Sequence, residues 1–324
     1  MNLKQWLGKY WFLLGLILMA LITVADTREW TVAAGRSLKN HGGPNLVIFS
    51  IFLFSGLTLD AGLLRKGLGD LRATLSALLV VFIFSPLAAL AFEFLPLNNQ
   101  ILTGLCLVAV MPSTLSTGVV MTKASGGNMA HALFVTVLAN TIAVFTIPVV
   151  LSLLLAVLGD PRSVVIDKAA IMLKIAWLVL APLAMGTGLQ YAAARWVVPL
   201  QRKVQLINQL LVLTIVWMGM CQSRATLIDG GAAILPVAAV SIGFHLLLVL
   251  IALALCQSLA IGPGRRESVI FMGSQKTLPL SVILQVTLFA DYGLTLAVCV
   301  VHHILHLMMD AYLVERLKSG WKRR

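Results

Sequence analysis

Apolar positions run in blocks of about 17 to 25 residues separated by short polar punctuation, the length an α-helix needs to cross the hydrocarbon of a bilayer. Allowing for tilt and for interrupted blocks, the pattern predicts ten spans. Five lie near 11–25, 44–59, 73–94, 100–123 and 128–158, and five more near 168–194, 203–222, 232–259, 266–290 and 292–314. The predicted class is an all-α polytopic membrane protein with ten transmembrane helices in two five-helix halves, 1–162 and 163–324. An odd number of spans per half makes the second half enter the membrane in the opposite direction, which is the arrangement of an inverted repeat. The fourth and ninth blocks are discontinuous.

Composition agrees with that pattern and removes alternatives. With 60% hydrophobic and 11% charged residues and a mean hydropathy of +0.97, the chain carries too much apolar surface for a soluble globule. The formal charge of +12 raises the question of nucleic acid, but the basic residues sit in short loops and at the C-terminus, and no phosphate loop, zinc-finger spacing or base-stacking basic face is present. If both termini lie on one side, that side collects sixteen Lys and Arg, among them Lys4, Lys9, Arg65, Lys66 and the tail from Arg316 to Arg324, against six on the other, including Arg28 and Arg162. The positive-inside rule then places both termini in the cytoplasm, and the expected location is a bacterial inner membrane. A cleaved leader, with Lys4 and Lys9 before the first span and Thr23, Val24 and Ala25 as a poor cleavage site, would spoil the five-plus-five count. The four cysteines lie inside apolar spans without a CxxC pair and read as small core residues. No catalytic constellation is visible, since the acids Asp60, Glu93, Asp160, Asp291 and Asp310 are scattered near span ends.

Function must therefore reside in the membrane, and the interruptions are the place to look. In the fourth span Pro112 is followed by Ser113, Thr114, Ser116, Thr117 and Gly118; in the ninth, FMGSQKTLP can be laid over it so that Met111, Ser113 and Ser116 meet Met272, Ser274 and Thr277. Unpaired backbone groups are tolerated at membrane depth only where protein or a watered cavity receives them. One reading is a kinked helix with its hydroxyls bonded back to it. The other is a transport site, since interrupted segments at corresponding positions of two halves mark the midplane binding site of inverted-repeat carriers. Half-helix N-termini would face an anion and half-helix C-termini a cation, with Ser113, Thr114, Ser116, Thr117, Ser274, Gln275 and Thr277 adding side chains. This suits an organic anion moved with a small cation.

The PST-LST break, the TKASGGN turn, the long span opening at Asn128 and the second break GSQKT resemble the bile acid:sodium symporter family, solute carrier family ten, and within it the divergent SBF-like orphan branch. The resemblance implies two inverted repeats whose fourth and ninth spans cross at their breaks, a panel domain (about 11–59 and 168–222) and a core domain (about 73–158 and 232–314), with substrate between them. It carries a sodium site onto Ser116, Thr117, Thr136 and Gln275, with Gly118 and Ala132 falling where the family has further ligands. Phe271 replaces the family's Glu of span nine, Lys276 follows Gln275 where the family has Asn, and Val81 replaces a Gln of span three. These departures put sodium coupling of the family type in doubt.

Lys276 is the most informative of them, because an intramembrane charge normally faces a cavity and marks a transport path. Its ammonium is expected either to replace bound sodium as a fixed charge, held by the carbonyl end of the first half-helix and nearby hydroxyls, or to carry a transported proton; the bland alternative is a lysine that snorkels to a watery crevice. Asn128 reads as the cap of the fifth helix and as a site candidate. Asn140 and Thr141 either line the core or bond between helices. His302, His306 and Asp310 share one face of the last span, where packing at the cytoplasmic end is favoured over a proton relay or metal face. His245 reads as an isolated core residue. The expected function is secondary transport of an amphipathic organic anion, bile-acid- or steroid-like or another carboxylate or sulfate, by movement of core against panel. Thiols introduced at Thr114 and Ser274 should then be protected by substrate. Alternatives are a proton-coupled or cation-independent carrier of the same fold, and a membrane sensor or scaffold that transports nothing. Expected partners are the anion and membrane lipid, with no cofactor beyond sodium.

Overall fold

A computed structural model of the chain describes residues 3–159, 167–229 and 231–321. Asp160, Arg162, the boundary at 162/163 and the tail residues Lys322 to Arg324 lie outside them. Among the described residues there is no strand, and seven helices are long and apolar enough to cross a membrane. The chain is an integral, polytopic membrane protein.

The principal helices are α1 (Leu3–Ala25), α2 (Gly43–Thr58), α3 (Leu71–Phe94), α4 (Asn99–Ala109), α5 (Thr117–Ala124), α6 (Met129–Val157), α7 (Lys168–Ala192), α8 (Gln201–Gln222), α9 (Ile234–Ser258), α10 (Arg266–Ser274), α11 (Leu278–Leu288) and α12 (Gly293–Trp321). The interrupted fourth block is thus α4 and α5, and the interrupted ninth is α10 and α11. The starts are written in the sequence: Asp70 accepts from the Ala73 N–H at the head of α3, and Asn98 and Asn128 do the same for α4 and α6. Asp70 also meets Arg265 at 3.1 Å. Burial alone would raise its carboxyl pKa, but the Ala73 N–H and the Arg265 guanidinium prevail and hold it below the ordinary value.

Helix contacts fall into two sets. In the first, α2 packs on α7 and α8, and α8 on α1. In the second, α12 lies along α4 and α9, and α10 is enclosed by α3, α5, α6 and α9. The α2–α7 contact depends on two glycines. A Cβ at Gly56 would lie 2.4 Å from the Leu183 carbonyl oxygen, and one at Gly186 2.1 Å from that of Leu53. Small residues allow membrane helices this approach. Gly186→Leu would have to push the two backbones apart, and a loss of about 1–3 kcal/mol or more is expected in the thermal unfolding of the purified protein; an unchanged melting temperature would contradict the packing. Cys106, Cys221, Cys256 and Cys299 are buried and free, as small core residues.

Two long helices contain π turns, Val80–Phe84 in α3 and Ala176–Leu180 in α7. The first matters for the site. Within it the Ser85 N–H donates to the Val80 carbonyl, and the next residue, Pro86, has no N–H to give. The carbonyl of Val81 is left without its helical donor.

Candidate ion and substrate site

Both interruptions are unwound backbone, at residues 110–116 and 275–277, and they meet. The Thr277 N–H donates to the Pro112 carbonyl at 3.0 Å. Across the crossing, the Gln275 Oε1 accepts from the Thr114 hydroxyl at 2.7 Å and the Thr117 hydroxyl at 3.1 Å. The Gly118 N–H, at the head of α5, donates to Thr114 Oγ1. Helix α6 completes the first break: Thr136 donates to the Thr114 carbonyl at 2.9 Å, Asn140 Nδ2 donates to the Ser113 carbonyl at 3.2 Å, and Ser113 donates to Thr136 Oγ1 at 3.1 Å. These bonds meet the requirement that unwound backbone at membrane depth be satisfied by protein. A kinked but continuous helix is therefore not what the sequence encodes here.

Lys276 is 2% exposed, so it does not snorkel. Its Nζ donates to the carbonyls of Met111 at 3.0 Å, Ala109 at 3.1 Å and Val81 at 3.4 Å. Three donors meet three acceptors. Two acceptors belong to the carbonyl end of α4, where the helix dipole is negative, and the third is the oxygen freed by the π turn and Pro86. The expected hydroxyls play no part, since its partners are all backbone carbonyls.

Two acids and a histidine need a different account from the one their sequence positions suggest. Asp310 is fully buried. Its Oδ2 accepts from Gln275 Nε2 at 2.7 Å and its Oδ1 lies 2.9 Å from His245 Nε2. His245 is thus not isolated, and the His302–His306–Asp310 face is turned inward against α9 and the second break instead of serving as a peripheral packing stripe. Asp310 lies 35 residues from Gln275 in sequence, and no local spacing betrays the pairing. Glu267, also buried, closes the loop before α10 through the Gly264 N–H at 2.7 Å and Arg266 Nε at 2.9 Å.

Beside the crossing lies a crevice of about 290 Å³ between the two helix sets. The breaks contribute Thr114, Ser116, Thr117 and Thr277, α2 contributes Ser55 and Thr58, and α8 contributes Gln205, Asn208 and Gln209. Asn208 Nδ2 donates to Ser55 at 3.0 Å, while its Oδ1 is buried without a partner. Among the described residues His303 is the single titratable side chain in the wall. The rest of the wall is neutral hydrogen-bonding groups and apolar surface.

The remaining candidates separate. Asn128 caps α6 by accepting from the Ala130 and His131 N–H groups, and its own N–H binds the Gly264 carbonyl; it belongs to the scaffold. Ser274 is fully buried and donates to the Ile270 carbonyl within α10. Thr141 is exposed and bonds within its helix to the Val137 carbonyl. Of the set Ser116, Thr117, Thr136 and Gln275, the structure joins Thr117 to Gln275 and turns the other two elsewhere. The Gln275 oxygen is already taken by two hydroxyls, Thr136 is turned to the first break's carbonyls, and Ser116 faces the crevice. A side chain at Gly118 would meet Met272 Cε at 2.2 Å and Gln275 Oε1 at 2.9 Å. Gln275 and Met272 occupy the space a ligand from that position needs.

Residues 10–319 match the model of the SBF-like CPA transporter family. Among curated relatives, sodium/bile acid cotransporter 7-B of Xenopus laevis is 27% identical over 338 aligned residues, covering 98% of this chain and 94% of its own. Sodium/bile acid cotransporter 7 of Mus musculus is 25% identical over 98% of this chain and 95% of its own. The probable chloroplastic sodium/metabolite cotransporter BASS4 of Oryza sativa subsp. japonica is 28% identical over 85% and 68%. The relatives are named as transporters and not as enzymes. The chain belongs to the SBF-like CPA transporter family.

Proposed function

We propose that the protein is a secondary active transporter of a compact amphipathic organic anion, a carboxylate or sulfate with apolar bulk, bound in the crevice beside the two crossing breaks. The observation that carries this reading is the direct bonding of the two unwound segments, Thr277 to Pro112 and Thr114 to Gln275, at the wall of a cavity. The heads of α5 and α11 supply N–H groups and a positive dipole end to an anion, and the neutral amides and hydroxyls of α2 and α8 supply the rest. The crevice volume sits at the small end of ligand pockets, which favours a small metabolite over a steroid. The named cargo of the relatives, sodium with a bile acid or metabolite, is the same broad class.

The two contact sets support a panel of spans one, two, six and seven rocking against a core of the others, in ten spans arranged as two inverted repeats. In this reading both termini lie in the cytoplasm and the protein resides in a bacterial inner membrane. A second reading is favoured by Lys276: coupling is not to sodium, because an ammonium already sits on the carbonyl end of α4 where a cation would bind.

The test is flux of a panel of carboxylates and sulfates into proteoliposomes, combined with maleimide labelling of Ser116→Cys. Transported anions are expected to slow labelling at Ser116, and labelling of Ser274→Cys is expected to be negligible because that side chain is enclosed. Absence of flux with labelling insensitive to every anion would leave a protein that keeps the fold without carrying anything.

A further inference from the structure

His303 in the crevice wall begins a line of polar atoms leading into the protein. Its Nδ1 lies 3.0 Å from His306 Nε2, the other nitrogen of that ring, Nδ1, lies 3.7 Å from Asp310 Oδ2, and Asp310 Oδ1 lies 2.9 Å from His245 Nε2. All four side chains are buried, His303 being the most exposed at 6%. The His306 Nδ1 and His245 Nδ1 atoms have no hydrogen-bond partner, and neither do both nitrogens of His302, whose ring stands 5.3 Å from that of His306 and 6.0 Å from that of His245. Unpartnered buried imidazole nitrogens are costly in a structural cluster and are what a site for a mobile proton requires. Among the described residues no group of three or more His, Cys, Asp or Glu is arranged to hold a metal ion.

We infer that the Asp310–His245 pair is a proton-binding site, reached from the crevice through His303 and His306, and that Gln275 reports its occupancy to the helix crossing. A proton from crevice water adds to the free nitrogen of His303. The ring releases its Nδ1 proton to His306 Nε2, and His306 in turn releases its Nδ1 proton to Asp310 Oδ2. Each imidazole ends neutral with its proton on the opposite nitrogen, and one positive charge has entered the pair. The consequence lies in Gln275. Its amide uses all its hydrogen-bonding capacity, donating to Asp310 Oδ2 and the Met121 sulfur at 3.2 Å and accepting from Thr114 and Thr117. A carboxylate only accepts, so it holds the NH₂ end of the amide toward itself. A protonated Asp310 presents an O–H at Oδ2, which favours the flipped amide, with Oε1 toward α12 and NH₂ toward the hydroxyls of the first break. The amide is a two-state element, and the proton biases it.

The titratable groups facing Asp310 are His245 from α9 and His306 on its own helix, while the charge of Lys276, in the second break, acts on the neighbouring His302 ring. Helices α4 and α11 contribute no carboxylate or basic side chain to the Asp310–His245 pair, α1 places the Phe12 ring against His303, and Lys123 of α5 is exposed. Arg224, after α8, is bonded to the Thr23, Val24 and Asp26 carbonyls.

The inference rests on the second reading of the proposed function, coupling to something other than sodium, and names the proton as that ion, so its test reads proton binding without flux. Infrared spectra of the purified full-length protein are recorded from about pH 8 to pH 5. Wild type is expected to gain a protonated-carboxyl band, Asp310→Asn to lose it, and His306→Gln to retain it while slowing its appearance after a pH jump. A carboxyl region constant with pH in wild type overturns the proposal without any variant, as does a band that survives Asp310→Asn. If Asp310→Asn does not fold, His245→Gln must displace the midpoint of the wild-type band; an unmoved midpoint overturns the assignment. A titrating Asp310 in a protein without flux would leave this site standing and remove the carrier reading, and the reverse result would do the opposite.

Discussion

Lys276→Met is expected to unfold more readily than wild type and to lose transport. The substitution keeps the stem and removes the ammonium, leaving the Met111 and Val81 carbonyls without donors, while the Ala109 carbonyl keeps the Ser85 hydroxyl at 2.7 Å. Each buried acceptor left unpaired costs about 1–3 kcal/mol, and the loss of a desolvated charge offsets part of that. A net loss of about 2 kcal/mol is expected, read from thermal unfolding of the purified protein. The informative arm is sodium. If the ammonium stands where a cation binds, the vacated carbonyl end of α4 in Lys276→Gln accepts an added ion, and the variant's melting temperature rises with sodium concentration while that of wild type does not. If Lys276 instead moves a proton, the variant loses pH dependence of transport and gains no sodium response. Transport and cation dependence identical to wild type would remove Lys276 from the mechanism altogether.

How much of this was legible in the sequence follows from the range over which each signal acts. Pro112 and a cluster of hydroxyls inside an apolar block are local, so the breaks and the ends of α4, α5, α10 and α11 were readable to within a few residues. Lys276 was readable because any charge inside such a block stands out, and even its attachment to the carbonyl end of α4 followed from dipole direction. Its third acceptor did not, because the free Val81 oxygen depends on a π turn meeting Pro86, and a π turn has no pattern in residue identity. The pairing of His245 with Asp310 was illegible for another reason. A period of 3.6 tells which residues share a face of α12, but not which helix that face meets. The same limit hid His131, buried between Thr74 at 3.0 Å and Ser268 at 2.6 Å. Ser274 shows the same limit from the other side: hydroxyl character inside an interruption is visible in the sequence, but not that one turn of helix rotates it onto the Ile270 carbonyl.

Gln275→Leu carries the largest expected loss, because the side chain it removes is, among the described residues, the single bridge between the first break and the buried carboxylate. The substitution leaves Asp310 Oδ2 with no donor within hydrogen-bond reach, His306 Nδ1 standing at 3.7 Å, and it strips Thr114 and Thr117 of their shared acceptor. Asp310 keeps His245 at Oδ1, so what is lost is a hydrogen bond to a charged group, about 1.5–3 kcal/mol, with the two freed hydroxyls adding to it; this is a large share of the stability of a typical domain, and transport should fall with it. The loss is expected to be non-additive. In the double variant Gln275→Leu with Asp310→Leu no charge is left stranded, so part of the stability should return, with a coupling of about 1 kcal/mol or more between the two positions. Additive losses would mean that the amide and the carboxylate act independently, and the argument that the proton state of α12 is felt at the helix crossing would have no physical carrier. A coupling that persists while Met121→Leu changes little would assign it to the charge-assisted bond and not to the sulfur contact on the same amide nitrogen.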